Sequence, residues 1–252
     1  MLKKRLIPVL ILRDGRVVQS VQFKHTNVIH WNPVTAVDFF NAWAVDEIII
    51  LDVSRNLAQR QKFYDAVLAL SRKCFVPLSV GGWVTSVEEV RRLLRIGADK
   101  VVINTAAVRR PALVTEVAEI FGSQCVVVSL DVRGHADGRR EVYVDRGREA
   151  TGLEPVAWAV RAVAHGAGEL FVTSIDHDGN RGGYDLELMR SVAEAVDVPV
   201  IAFGGVFTWD HLVRGIVEGK AEAVSAANIF HYTELSTRRA KDHMRHAGID
   251  VR

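Results

Sequence analysis

The sequence predicts an α/β fold, a closed (β/α)8 TIM barrel over residues 1–252 built from two similar halves, and three observations lead there. Apolar strand-like runs alternate with amphipathic helical patterns from one end to the other. No Pro/Ser-rich linker divides the 252 residues, a length that one barrel commonly fills. Paired motifs recur half a chain apart. Gly81-Gly82 in SVGGWV returns as Gly204-Gly205 in AFGGVF, 123 positions later, and at that offset Ala98-Asp99 meets Ala221-Glu222 and Thr105 meets Asn228.

The strands are expected at Leu6–Leu12, Glu47–Val53, Val76–Val80, Lys100–Asn104, Cys125–Asp131, Glu169–Ile175, Val198–Phe203 and Ala223–Ala227. Each is a short apolar run of the kind buried on both faces. Helical patterns lie between them at Val87–Ile96, Ala112–Ile120, Pro155–His165 and Leu186–Val196. The last carries Leu186, Met189, Val192 and Val196 on one face. Two connections are long: from beyond Arg13 to Pro33, and Val132–Thr151, which holds a short EVYV strand at Glu141–Val144. Both follow strand ends, where a barrel keeps its functional loops.

Composition narrows the function classes. A formal charge of +2 with 25% charged residues gives no reason to expect nucleic acid or a membrane surface as partner. Cys74 and Cys125 sit in or beside apolar runs without metal or disulfide spacing, which fits a reducing cytoplasm. The start MLKKRLIPVLIL lacks a small-residue cleavage site and reads as a first strand. No His/Cys/carboxylate cluster suggests a metal, and the Gly-Gly turns do not match a dinucleotide fingerprint, so no cofactor is expected.

The chemistry gathers in the turns. TSIDHDGNRGGYD (Thr173–Asp185) joins a buried strand to an amphipathic helix, and its Gly179, Gly182 and Gly183 let backbone approach an anion. Each half then offers a Gly-Gly turn after its third strand and a small-polar turn after its fourth. The expected phosphate-binding set is Gly81, Gly82, Asn104 and Thr105 in one half, Gly204, Gly205 and Asn228 in the other, with Asp178 and Gly179 between them. A Gly-Gly pair can also simply end a strand; its recurrence with the polar turns favours a doubled anion site. His177 and the arginines of the second long connection (Arg133, Arg139, Arg140, Arg146, Arg148) are candidates that solvated loops also explain.

DGRVV (Asp14–Val18), GADKVVINTAAV (Gly97–Val108), FGSQ (Phe121–Gln124), TSIDHDG with GYD, and AANIFH (Ala226–His231) together resemble the cyclase subunit of imidazole glycerol phosphate synthase over nearly the whole chain. That resemblance implies a glutaminase partner whose ammonia crosses the barrel to a bisphosphorylated substrate. Two aspartates act as acid and base in that family. The fifth-strand one is Asp131 here, but the first-strand position is Ile11, which transfers no proton. The family's lysine in the following loop is Gln19. Trp83 replaces a glycine, Phe203-Gly204-Gly205-Val206-Phe207 replaces S-G-G-A-G, and Asn228 replaces a serine. Rings at those turns are expected to obstruct phosphate unless they point away.

The family's four ammonia-gate charges, by contrast, all map: Arg5, Glu47, Lys100 and Glu169, with Asp99 at a position facing the glutaminase. Starting four strands, they are expected to form a closed ring at the barrel bottom. This combination resembles a divergent branch of surface-polysaccharide pathways, which implies a glutaminase, a separate sugar amidotransferase, and a phosphorylated or nucleotide-linked sugar. The expected function is ammonia channelling for sugar amidation. The alternatives are a working cyclase of histidine biosynthesis and a stand-alone sugar-phosphate barrel.

Overall fold

The computed structural model describes residues 3–35, 45–231 and 236–252. Its strands are β1 (Arg5–Arg13), β2 (Arg16–Val21), β3 (His25–His30), β4 (Ile48–Asp52), β5 (Leu78–Gly81), β6 (Lys100–Ile103), β7 (Val126–Gly134), β8 (Arg140–Val144), β9 (Glu149–Ala150), β10 (Glu169–Ser174), β11 (Val200–Phe203) and β12 (Ala223–Ala226). Eight of them close a parallel barrel in the order β1-β4-β5-β6-β7-β10-β11-β12 and back to β1, with β7 and β10 in register from Val127↔Glu169 to Val132↔Ser174. Helices including Arg60–Ser71, Val87–Arg95, Ala112–Phe121, Pro155–Ala164, Leu186–Ala193 and Trp209–Val217 connect these strands.

Both faces of each barrel strand are buried, which is why the strands read as continuous Val/Ile/Leu runs. Inward positions form one cluster, with Ile7, Val9, Ile49, Val102, Val127, Phe171 and Ile201 among them. Outward positions such as Leu6, Leu10, Ile48, Ile50 and Val128 join the helices in a second. Amphipathic helices are fixed at their ends by local caps: Ser86 accepts from Glu89 N while Glu89 reaches back to Thr85 N, and Asp185 Oδ1 accepts from Leu188 N at 3.0 Å.

The internal repeat is visible in hydrogen bonds. Ile48 N donates to Pro77 O and Leu170 N to Pro199 O, both at 3.0 Å and both partners shifted by 122 positions. Leu78 N donates to the Asp99 carboxylate at 2.8 Å, and Val200 N to the Glu222 carboxylate at 3.0 Å. The same two prolines explain the late start of two strands, β5 at Leu78 where Val76 was expected and β11 at Val200 where Val198 was expected. A proline has no N–H for the ladder, so pairing begins after it.

The first long connection is a hairpin extension. β1 turns through Asp14 (φ +54°) and Gly15 (φ +79°) into β2, and β2 turns through Gln22 (φ +48°) and Phe23 (φ +58°) into β3. Asp-Gly is the strongest short hairpin signal because both residues tolerate positive φ. The second connection is also a hairpin, β7 pairing with β8 and β8 with β9. Among the described residues, no helix is long and apolar enough to cross a membrane.

The second Gly-Gly turn is a tight spot. Gly205 has φ +93°, and a Cβ there meets Gly183 O at 2.2 Å. Gly138 has a similar φ of +85° with nothing within 4 Å. Gly205→Ala is expected to lose about 1–3 kcal/mol more stability than Gly138→Ala, read from urea unfolding of the two variants.

Candidate functional site

The top of the barrel holds a cavity of about 330 Å3. Its floor is apolar, formed by Ile11, Leu51, Val102, Phe171 and Phe203, the two rings 5.2 Å apart. Polar groups stand in the wall: Asp52, Asn104, Thr105, Ser129, Asp131 and Thr173. Cations reach the mouth: Arg13, Lys24, Arg55 and Arg146.

Asp131 is the deepest titratable group in this cavity, buried near the end of β7. Asn104 Nδ2 and Ser129 Oγ each donate to its carboxylate at 3.3 Å. Burial pushes its pKa up to about 7; the Ser129 hydrogen bond pulls the other way, and the charge of Asp178 adds to the rise. A carboxyl so placed exchanges a proton near neutrality, the range useful for general acid–base work. Across the same cavity Ile11, only 5% exposed, offers an alkyl surface. Asp14 sits beyond it in the hairpin turn, its N–H on Ser54 Oγ at 2.7 Å.

Trp83 occupies its turn at φ +62°, a left-handed conformation suited to glycine, and its indole N–H donates to Asp52 Oδ1 at 3.0 Å. The ring therefore lines the cavity beside Gly81 and Gly82. Asp52 also accepts from Ser54 N and Oγ, and burial raises its pKa. Phe207, expected to crowd a phosphate turn, instead faces outward, 51% exposed with the Arg181 guanidinium 4.8 Å above its ring. Phe203 does enter the cavity floor.

The expected doubled site divides in two. Gly81, Gly82, Asn104, Thr105 and Asp131 line the cavity. Asp178, Gly179, Gly204, Gly205 and Asn228 do not. The physical reason is a layer of loop packing. Gly183 N donates to Gly205 O at 2.9 Å, His177 Nδ1 sits 2.7 Å from Gly183 O, and Gly204 and Gly205 are both buried. The β2–β3 hairpin lies on the same loop: Ser20 Oγ donates to Asp178 Oδ2 at 2.8 Å, Gln22 N to Asp178 O at 3.0 Å, and Val21 Cα lies 3.0 Å from where a Cβ on Gly179 would stand. Burial raises the pKa of Asp178 in this latch. Asn228 Oδ1 is a buried acceptor with no partner among the described residues.

Sequence reasoning missed Arg13, Lys24, Asp52, Arg55 and Asp145. The usable signal was position, since Arg13 and Asp52 end β1 and β4 and Arg55 follows directly. Of the five arginines in the second connection, only Arg146 lines the cavity, reaching across to Ser54 O at 2.7 Å. Arg140 is held by Asp185 and Glu187, Arg139 by Asp137, Arg148 by Asp145, and Arg133 stacks on Tyr143 at 4.6 Å.

At the opposite end four charges close a ring. Arg5 Nη1 lies 2.8 Å from Glu47 and 3.0 Å from Glu169; Lys100 Nζ lies 3.0 Å from each of the same two carboxylates. Ser79 Oγ donates to Glu47 at 2.8 Å. Asp99 is exposed at this end and holds the first N–H of β5. Among the described residues, no cluster of His, Cys, Asp and Glu is arranged to hold a metal ion.

Asp131 makes a stability prediction. Its folded pKa of about 7 stands above the unfolded value near 4, so the folded state holds the proton more tightly. The stability this group contributes is complete below about pH 4 and is lost as pH rises through about 7. Asp131→Asn is expected to gain on the parent protein over that window, reaching on the order of 2–4 kcal/mol by pH 8, in urea melts at pH 4 to 8.

Residues 5–236 match the family model described as histidine biosynthesis protein.

Proposed function

Because the chain belongs to the histidine biosynthesis protein family, we propose that it is the barrel subunit of a glutamine amidotransferase complex. In this role it passes ammonia from a glutaminase at the barrel bottom to amidation chemistry on a surface-polysaccharide sugar, in which a sugar amidotransferase takes part. The observation that carries this reading is the closed ring of Arg5, Glu47, Lys100 and Glu169 beneath an apolar barrel interior, with Ile11 where a second acid–base group is needed at the top.

The physics of transfer follows. Neutral ammonia enters an apolar interior far more easily than ammonium, whose charge must be desolvated. Ile7, Val9, Ile49, Val127 and Phe171 line that interior. The ring balances two cations against two carboxylates, so passage requires one member to move while the rest keep partners. Asp99, exposed beside the ring, is the contact assigned to the glutaminase.

A second reading, ring closure in histidine biosynthesis, draws on Asp131 and its near-neutral pKa. The family's first-strand carboxylate is Ile11 here, and Asp52, another carboxylate of the cavity wall, is engaged by Ser54 and Trp83. Growth of a histidine auxotroph deprived of its own cyclase separates the two: rescue by this chain supports ring closure and sinks the channel-only reading. Ile11→Asp alone is expected to leave cyclase activity undetectable, because Trp83 and Phe203 still fill the cavity wall and floor; measurable ring formation by that variant contradicts it.

The gate is tested in the reconstituted complex. Lys100→Ala leaves two carboxylates facing one guanidinium, a local cost of about 3–5 kcal/mol for a broken buried pair. The expected result is glutamine-driven product reduced about tenfold or more, with ammonium-driven product reduced far less. Equal loss of both assigns the ring a structural role only.

A further inference from the structure

We infer that the top-face cavity takes a ligand with a single anionic group, held at the mouth by Arg13, Lys24 and Arg55, and a neutral hydroxyl- or amide-bearing end against Asp131. This deepens the reading above, since it rests on the cavity being that complex's ligand site. The chemical class is a sugar monophosphate or a compound of that form, as opposed to one with phosphates at both ends.

Three observations converge on it. First, only one of the two Gly-Gly turns opens to the cavity. Gly81 and Gly82 line it, whereas Gly204 and Gly205 are buried beneath the loop that carries Gly183. The second turn is therefore no part of the cavity wall, and a ligand seated in the cavity meets only the first.

Second, the charges at the mouth are unevenly matched. Asp145 is paired with Arg146 and Arg148, and Asp52 is engaged by Ser54 and Trp83. Arg13 donates to Thr26 Oγ1 at 2.7 Å, and among the described residues none of Arg13, Lys24 and Arg55 has a carboxylate within ion-pair distance. Lys24 and Arg55 are exposed at the rim. Unpaired cations around a concave opening attract and orient an anion, and guanidinium suits a phosphate.

Third, the deep end offers neutral hydrogen-bonding groups and a carboxyl, and no cation of the described residues is paired with that carboxyl. The carboxyl is that of Asp131, with Asn104, Ser129 and Thr173 alongside. These groups donate and accept hydrogen bonds, which fits hydroxyls or an amide. The polarity of the cavity therefore sets the ligand's direction, anion outward and neutral end inward. Its volume of about 330 Å3 suits a ligand of that size.

The test is calorimetric titration of the full chain alone, without glutaminase, so that it stands apart from the transfer assay of the gate. The probes are inorganic phosphate, fructose 6-phosphate and fructose 1,6-bisphosphate. Expected are saturable binding of the monophosphate displaced by phosphate, and a bisphosphate affinity within about threefold of it. Arg55→Gln should weaken monophosphate binding about tenfold. Arg181→Gln, on the sealed side, should leave it unchanged. A bisphosphate bound about tenfold tighter or more, sensitivity to Arg181→Gln, or absence of saturable binding by both phosphate and the monophosphate overturns the inference. If these bindings appear while Lys100→Ala lowers glutamine- and ammonium-driven product equally, the ligand site stands and the channel falls.

Discussion

A closed parallel barrel buries both faces of every strand, so any polar side chain that enters its axis must find a partner there or lose its charge. This constraint organises the molecule from bottom to top. At the bottom, Arg5, Glu47, Lys100 and Glu169 satisfy one another, with Ser79 completing the hydrogen bonding. At the top, Asp131 has hydrogen-bond donors but, among the described residues, no cation within ion-pair distance, and its proton affinity rises to near neutrality. Between them the interior is aliphatic and aromatic. One rule thus yields a charge-balanced ring below and a responsive carboxyl above.

The two halves of the barrel share a backbone plan and differ in what lies over it. The paired bonds of Pro77 and Pro199, and of Asp99 and Glu222, repeat at the bottom. At the top the symmetry is broken by loops. The segment after β10 folds across the second Gly-Gly turn and is itself gripped by the β2–β3 hairpin through Asp178. The segment after β4 leaves the first turn open, and Trp83 joins it to Asp52. Unequal loops over a duplicated scaffold thus leave one glycine turn lining the cavity and cover the other.

Much was legible because it depends on local chemistry. The apolar runs and the helical patterns between them act over a few residues, and the strands formed close to where they were expected; the Asp-Gly turn and the Ser86 and Asp185 caps are just as local. The charged ring was legible for a different reason. The resemblance singled out these four residues, and because they stand at the starts of barrel strands one, two, four and six they converge on the axis once the barrel closes. The side chains that occupy the cavity were harder to read, since Phe203 turns inward and Phe207, four positions on, stacks beneath Arg181.

What the sequence by itself determined is the barrel, its internal repeat and the identity of several groups: the acid Asp131, an isoleucine at position 11, and four charges at the strand starts. These follow from periodicity and from residue type, which no packing can alter. Only the tertiary structure decided which of the paired glycine turns faces a ligand. That choice depends on Gly183 bonding to Gly205 and on Ser20 holding Asp178, contacts between segments far apart in the chain. Likewise, Arg55 and Arg146 come to line one cavity with Asp131 only because separate strands deliver their ends to one mouth. Contacts of that range are set by how the barrel closes, and no local pattern encodes them.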